Sequence, residues 1–375
     1  MKISLVTPQQ EGSSSLYSYT DQLIKEDEFK EGLDIDLCTF KQGSINPLEY
    51  LKVAQHATDS DSKVVHIQHE YGVFGPATIM SWVFFPMLWI LASIRNKSIV
   101  ITVHEVINNE LIRGRLKILK IFYIHLINHV IGWTADYLIF LSSPAKFQFK
   151  EFTHGTPVNQ IAHGTSTERQ VDLSKSEAKS QFDFDPDTTL IAEFGYISER
   201  KGSDFFLDLA KQLPKYEFLL AGGPEKGNTK FVSQLKERCP KNLQITGELE
   251  SKEFHASFIA SDVVVLPYRE DTGRGFVNEV KQSGILNWCM TYELPVITSD
   301  CQYFCDLEKE YGCLRTYDSG NMSDAITALE DVMQSEPKKC DLITGTQRFK
   351  KENMMSKVCS QHINIYRQLA CDDLS

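Results

Sequence analysis

Short runs of β-branched and aliphatic residues recur along the chain, separated by longer stretches in which apolar positions return every three or four residues. In the first half the runs are Ile3–Pro8, Leu33–Phe40, Val64–His69, Ile99–His104, Tyr137–Ser142 and Val158–His163. Near-continuous apolar runs of this length predict strands buried on both faces, with room for one helix between successive strands. A polar stretch follows His163, GTSTERQVDLSKSEAKSQFDFDPDTT, and then the rhythm restarts. Its second set is Leu190–Gly195, Tyr216–Gly222, Leu243–Gly247, Asp262–Tyr268, Pro295–Asp300 and Cys313–Tyr317. The pattern predicts an α/β protein of two Rossmann-like, doubly wound domains joined near residues 165–188. Residues 337–371 have helical periodicity and no strand. The expected division is 1–170, 171–345 and a helical segment 346–375; that this segment packs on the first domain is an expectation that spacing alone does not carry.

In open parallel sheets ligands bind beyond the carboxyl ends of the strands, and two such domains facing each other create a cleft there. The loops after strands therefore decide the chemistry. After the first strand, Gly12 and Ser13 precede a helical pattern, a loop that can present backbone amides; with a single glycine it is not a dinucleotide fingerprint, and a serine helix cap is an equal reading. The third and fourth strands end in HEYG and HE, which puts His69, Glu70, His104 and Glu105 at neighbouring strand ends, and His163 closes the last strand of the half. HEYG is not the H-E-x-x-H of a metalloprotease helix; polar recognition of a sugar or acceptor hydroxyl fits better.

In the second half FGYISERKGSDFF places Gly195, then Arg200 and Lys201, before a helix. Two cations and a helix N-terminus make an anion site, because the dipole and free amides add to the formal charge. Farther on, a strand ends at Tyr268, and Gln282, Ser283 and Gly284 open another helix with Ser283 as its cap. Two helix starts and a basic pair suit a diphosphate.

Composition narrows the classes. The 375 residues are 42% hydrophobic and 24% charged, enough to build real cores. A net charge of -11 excludes a general nucleic-acid binder. Nine cysteines, none in C-x-x-C spacing, behind an opening MKISLVTPQQ without a cleavable signal pattern, read as free thiols in a reducing cytoplasm; a zinc site at Cys301, Cys305 and Cys313 lacks its further ligands. Tyr71–Ile94 carries no charge, yet Gly72, Gly75, Pro76 and Pro86 break it, so a buried crossover helix is expected ahead of a membrane span, with a helix lying on a membrane surface as the rival. Residues 111–133 contain Arg113, Arg115, Lys117 and Lys120 and no acid among Ile, Leu, Phe and Tyr; in an acidic protein this reads either as a wetted helix face or as a contact for an anionic membrane, peripheral at the inner leaflet.

The ordered set VVHIQHEYGVFG, ITVHE, IAHG, FGYISERKG, LLAGGP and LPYR…QSGILNWCMTYELPVITSD resembles the retaining glycosyltransferases of family four, in the subgroup with HEYG, across essentially the whole chain. The resemblance implies the GT-B fold, a UDP- or GDP-linked sugar as substrate with no cofactor or catalytic metal, and a glycan or lipid-linked acceptor in polysaccharide or glycoconjugate synthesis. It implies that Lys201, helped by Arg200, stabilises the donor diphosphate and that the amides at Ser283 and Gly284 hold its distal phosphate. His104 would face the transferred sugar, the Gly12 loop would close over the phosphates, and Gly222, Gly223, Thr246 and Gly247 would line the nucleotide. Three positions depart from the family. Its paired glutamates fall on Val280 and Trp288, its early loop arginine is Tyr196, and the glycine before the last cleft strand is replaced around Glu293. A nucleotide-sugar binder without transfer activity and a nucleotide-sugar epimerase of the same fold are the alternatives. The D-x-D triplets at 34–36, 59–61 and 183–185 are too short to mean a metal site. Nothing in the chain indicates an oligomeric state.

Overall fold

The computed structural model describes the chain apart from residues 11–14, 108, 113, 167–170, 226, 270–281 and 373–375. All twelve expected strands are present, and each sheet pairs its strands in parallel. The chain divides into two compact units, Met1–Gly164 with Met355–Ser375, and Thr165–Met354.

The first unit is built from β1 (Lys2–Pro8), α1 (Ser15–Lys25), α2 (Asp27–Gly32), β2 (Asp34–Phe40), α3 (Pro47–Asp59), β3 (Val64–His69), α4 (Ser81–Ile94), β4 (Ser98–Val103), α5 (Lys117–Thr134), β5 (Tyr137–Phe140), α6 (Ser143–Gln148) and β6 (Val158–Gln160). Its strand order, β2-β1-β3-β4-β5-β6, reverses direction at β1/β3, the kind of switch point at which doubly wound sheets bind ligands. Strands β3 and β4 are buried at every residue, as parallel strands covered on both faces must be. Local chemistry sets helix starts: Asn46 accepts from the Leu48 amide with Pro47 at the first helical position, and Ser142 accepts from the Ala145 amide with Pro144 at the second.

The second unit runs α7 (Lys175–Gln181), β7 (Leu190–Phe194), α8 (Ser203–Gln212), β8 (Glu217–Ala221), α9 (Thr229–Glu237), β9 (Leu243–Gly247), α10 (Ser251–Ala260), β10 (Val263–Leu266), α11 (Gly284–Thr291), β11 (Val296–Ser299), α12 (Gln302–Tyr311), β12 (Arg315–Tyr317), α13 (Met322–Gln334) and α14 (Glu336–Glu352). Its order is β12-β11-β10-β7-β8-β9. The polar stretch read as a joint holds α7, which begins in a reciprocal capping box between Ser174 and Glu177. A last helix, α15 (Met355–Asp372), returns to the first unit. Its Met355, Val358, Cys359, Ile363 and Tyr366 share a core with Ile3, Leu23, Val64 and Val100.

No helix among the described residues is long and apolar enough to cross a membrane. The segment 71–94 folds as two short 3-10 turns followed by α4, and the expectation of a simply buried helix needs correcting. Phe84, Phe85, Leu88 and Ala92 face the core, but Trp82, Trp89, Ile90 and Ile94 are exposed.

Candidate active site

The loops after β7, β8 and β10 are held together at points where only glycine fits. The Gly195 amide donates to the carbonyl of Ala221, and the Ile197 amide to that of Gly223. A Cβ on Gly222 would lie 1.8 Å from the Gly195 oxygen. Gly202, in the left-handed region at φ 75°, caps α8, and a Cβ there would lie 1.9 Å from the Pro267 carbonyl oxygen. The Arg269 amide closes the contact by donating to the Arg200 carbonyl at 2.9 Å. These constraints press the β7–α8 loop against the end of β10.

Lys201 is the result of that contact. Its Nζ sits 3.6 Å from the centroid of the Tyr268 ring, within cation–π range. The Tyr268 hydroxyl is 3.2 Å from Ser283 Oγ, and Ser283 caps α11 by accepting from the Leu286 amide at 3.2 Å. Lys201, Tyr268, Ser283 and the Gly284 helix start therefore form one constellation, with Arg200 beside it, paired to Glu225 at 3.4 Å. Burial brings the Lys201 ammonium down to about 7; Arg200 pushes the same way, and Glu193 and Glu225 oppose it. Gln282 Oε1 is buried with no partner among the described residues. Thr246 Oγ1 accepts from the Gly222 amide at 3.1 Å and donates to the Gly247 carbonyl at 2.8 Å, fixing the ends of β8 and β9. Gly12, Ser13 and Val280 lie outside the described residues. Trp288, where the family carries an acid, packs its ring 4.8 Å from that of His255.

Sequence reasoning missed Glu193. It lies next to the end of β7, is 1% exposed, and accepts from the Ser203 hydroxyl at 2.7 Å. Burial raises its carboxyl to about 8. The available signal was an acid inside LIAEF, a run otherwise fit for a strand covered on both faces.

In the first unit His104 and His163 flank one ring: Tyr19 is 5.0 Å from His104 and 4.7 Å from His163. His104 Nε2 is 2.7 Å from Gln68 Oε1, and burial keeps both imidazoles neutral, His163 at about 4. Glu70 and Glu105 stay partly exposed at their strand ends. His69 has no exposed ring surface in this structure and lies among the rings of Tyr71, Phe74 and Phe85, with neither ring nitrogen hydrogen-bonded among the described residues. Among the described residues the group able to hold a metal is Asp36, Cys38 and His56, on β2 and α3 and away from these strand ends.

Residues 188–331, which carry the Lys201 constellation, match the family model described as glycosyl transferases group 1. The chain has the GT-B fold and is related to that group. It is 27% identical over 161 residues to the processive diacylglycerol alpha-glucosyltransferase of Acholeplasma laidlawii, covering 40% of this chain and 46% of the relative. It is 34% identical over 90 residues to the lipopolysaccharide core biosynthesis mannosyltransferase LpsB of Rhizobium meliloti (strain 1021), covering 23% of this chain and 26% of that one. The chain thus matches less than half the length of either relative. Among solved structures, Anabaena Alr3699/HepE in complex with UDP superposes with a TM-score of 0.76 over 98% of this chain and 100% of that one; at 12% identity the likeness is one of fold.

Proposed function

We propose that this chain is a retaining glycosyltransferase that moves a hexose from a UDP- or GDP-linked donor to a glycan or lipid-linked acceptor. The observation that carries the reading is the Lys201–Tyr268–Ser283 constellation at the start of α11. As the C1–O bond of the donor breaks, charge develops on the leaving diphosphate, and a preorganised ammonium and helix-start amides stabilise it without reorganising. In the retaining reading the leaving phosphate accepts the acceptor's proton on the same face. Gly222, Gly223, Thr246 and Gly247 would line the nucleotide, and His104 and His163, both neutral, would serve the sugar and acceptor. A thermal-shift screen of nucleotide sugars tests this: UDP- or GDP-sugars raise the melting temperature by mass action, and Lys201→Ala removes the rise. No stabilisation by any nucleotide sugar would sink the reading, and stabilisation without transfer to any acceptor would favour the binding-protein alternative.

The acceptor side is proposed to work at an anionic membrane. Both relatives that match are named for glycolipid or lipopolysaccharide synthesis. In the chain itself, the outward faces of α4 and α5 are apolar where a wetted helix would be polar. Trp89 is 52% exposed, Ile94 75%, Ile118 84% and Phe122 59%. The two helices meet where Trp82 lies 6.3 Å from Tyr123. Arg115, Lys117 and Lys120 lie just before and in the first turn of α5, at one end of this apolar helix, which suits a helix lying in the headgroup region of an anionic surface. Ile118→Glu with Phe122→Glu is expected to weaken binding to vesicles containing anionic lipid by about 10-fold or more, and Lys117→Glu with Lys120→Glu to weaken it with a smaller salt dependence. Flotation unchanged in both would end the membrane assignment.

A further inference from the structure

Strand β2 is an edge of the first sheet, and Asp36, Cys38 and Phe40 share one of its faces, because alternate residues of a strand point the same way. Helix α3 covers that face. The Phe40 ring lies 5.3 Å from that of Tyr50 at one end, and His56 Nε2 reaches Asp36 Oδ1 at 3.3 Å toward the other. Strand and helix therefore run antiparallel, with about 13 Å of β2 between Phe40 and Asp36 alongside about 9 Å of α3 between Tyr50 and His56. Cys38 is buried between these two contacts, Asp36 is partly exposed, and His56, in the last turn of α3, is exposed.

The sulfur, one imidazole nitrogen and one carboxylate oxygen of these residues all lie within 4.8 Å of one another. Around a tetrahedral Zn²⁺, ligand atoms at about 2.0–2.3 Å from the ion stand about 3.3–3.6 Å apart. The His56–Asp36 pair already has that spacing, and the sulfur needs to close by at most about 1.3 Å. The donor types narrow the ion further. A thiol, an imidazole and a carboxyl are the three groups that bind Zn²⁺, whereas Mg²⁺ and Ca²⁺ take oxygen ligands.

We propose that Asp36, Cys38 and His56 form a Zn²⁺ site that ties the edge strand β2 to α3, with water as the fourth ligand. The set is not the D-x-D triplet 34–36, since Asp34 is not among the converging groups. It lies away from the strand ends assigned to donor and acceptor and does not rest on that assignment. On binding, the Cys38 thiol gives its proton to the buffer and the sulfur donates its electron pair to the ion; nothing is oxidised or reduced. Burial pushes that thiol up to about 12, with Asp36 pushing the same way, so it starts protonated near neutral pH and about one proton leaves per ion.

Equilibrium dialysis of the full chain against Zn²⁺, with Co²⁺ as a spectroscopic probe, tests the site. Wild type retains Zn²⁺, and Co²⁺ shows the thiolate-to-metal charge-transfer band of a cysteine-bound ion. Cys38→Ser abolishes that band, ends the proton release seen by calorimetry in buffers of different ionisation enthalpy, and weakens Zn²⁺ binding by at least about 100-fold, since even outer-shell losses cost 10–100-fold. His56→Ala, a change at an exposed side chain that the fold tolerates, weakens it likewise and supplies the measurement if the serine variant folds poorly. The rival location is the pair His129 Nδ1 and His154 Nε2, 3.0 Å apart. Uptake that survives Cys38→Ser and His56→Ala but is lost in His129→Ala overturns the assignment, as does failure of wild type to retain Zn²⁺.

Discussion

Lys201→Ala is expected to lower kcat/KM for sugar transfer by about 10²- to 10³-fold, the loss that follows removal of one preorganised stabiliser of developing charge. The fold should survive. The side chain is already penalised by burial, as its lowered proton affinity shows, so truncation removes a desolvated charge and leaves the Gly202 and Gly222 contacts that shape the loop. A melting temperature near wild type with activity lost is the expected pair of results. Lys201→Arg should rescue little, because a planar guanidinium cannot repeat an ammonium centred 3.6 Å from the Tyr268 ring. In wild type the free enzyme's Lys201 is protonated below about 7, so kcat/KM should decline as pH rises through that value. An active Lys201→Ala would move the chemistry elsewhere on the molecule.

Strands were legible because parallel strands covered on both faces write themselves as unbroken apolar runs; β3, buried at all six positions, is the plainest case. Lys201 and Ser283 were legible because a cation or a serine just before a helix has a local physical meaning. Tertiary environment was not. The pattern in 71–94 marks an apolar helix, but not that Trp89 and Ile94 stay uncovered, since periodicity cannot tell a core face from an unpartnered one. His69 and His104 end neighbouring strands alike in sequence, and one is walled in by aromatic rings while the other bonds to Gln68. Glu293 shows the reverse. It stands where the family keeps a glycine and adopts the left-handed φ of 56°, held by Gln347 at 2.9 Å and Lys350 at 3.0 Å. The backbone requirement was readable; the side-chain contacts that accompany a non-glycine there were not.

Acid is expected to unfold the first unit before the second, in a steep transition near pH 5. His66, His69, His104 and His362 are each at most 6% exposed, and burial holds His69 at about 3, His362 at about 4 and the other two well below the ordinary imidazole value. The unfolded chain binds protons at these sites near 6.5 while the folded unit refuses them, so stability is full above that value and is lost as pH falls toward the folded values. Each group removes about 1.4 kcal/mol per pH unit in that window, and four together remove about 5. Two units of that slope remove about 11 kcal/mol, comparable to the whole of the about 5–15 kcal/mol by which domains are stable. The Tyr366 hydroxyl, 2.6 Å from His66 Nδ1, ties α15 into the same network, so the last helix should leave with β3 and β4. The second unit contains one histidine, His255, and should hold. Hydrogen exchange across a pH titration checks this: protection in β3, β4 and α15 should vanish while β7, β8 and β10 keep theirs. His69→Phe, a ring among Tyr71, Phe74 and Phe85 with nothing to protonate, should shift the midpoint to lower pH, and simultaneous loss of both units with no shift in that variant would refute the histidine origin.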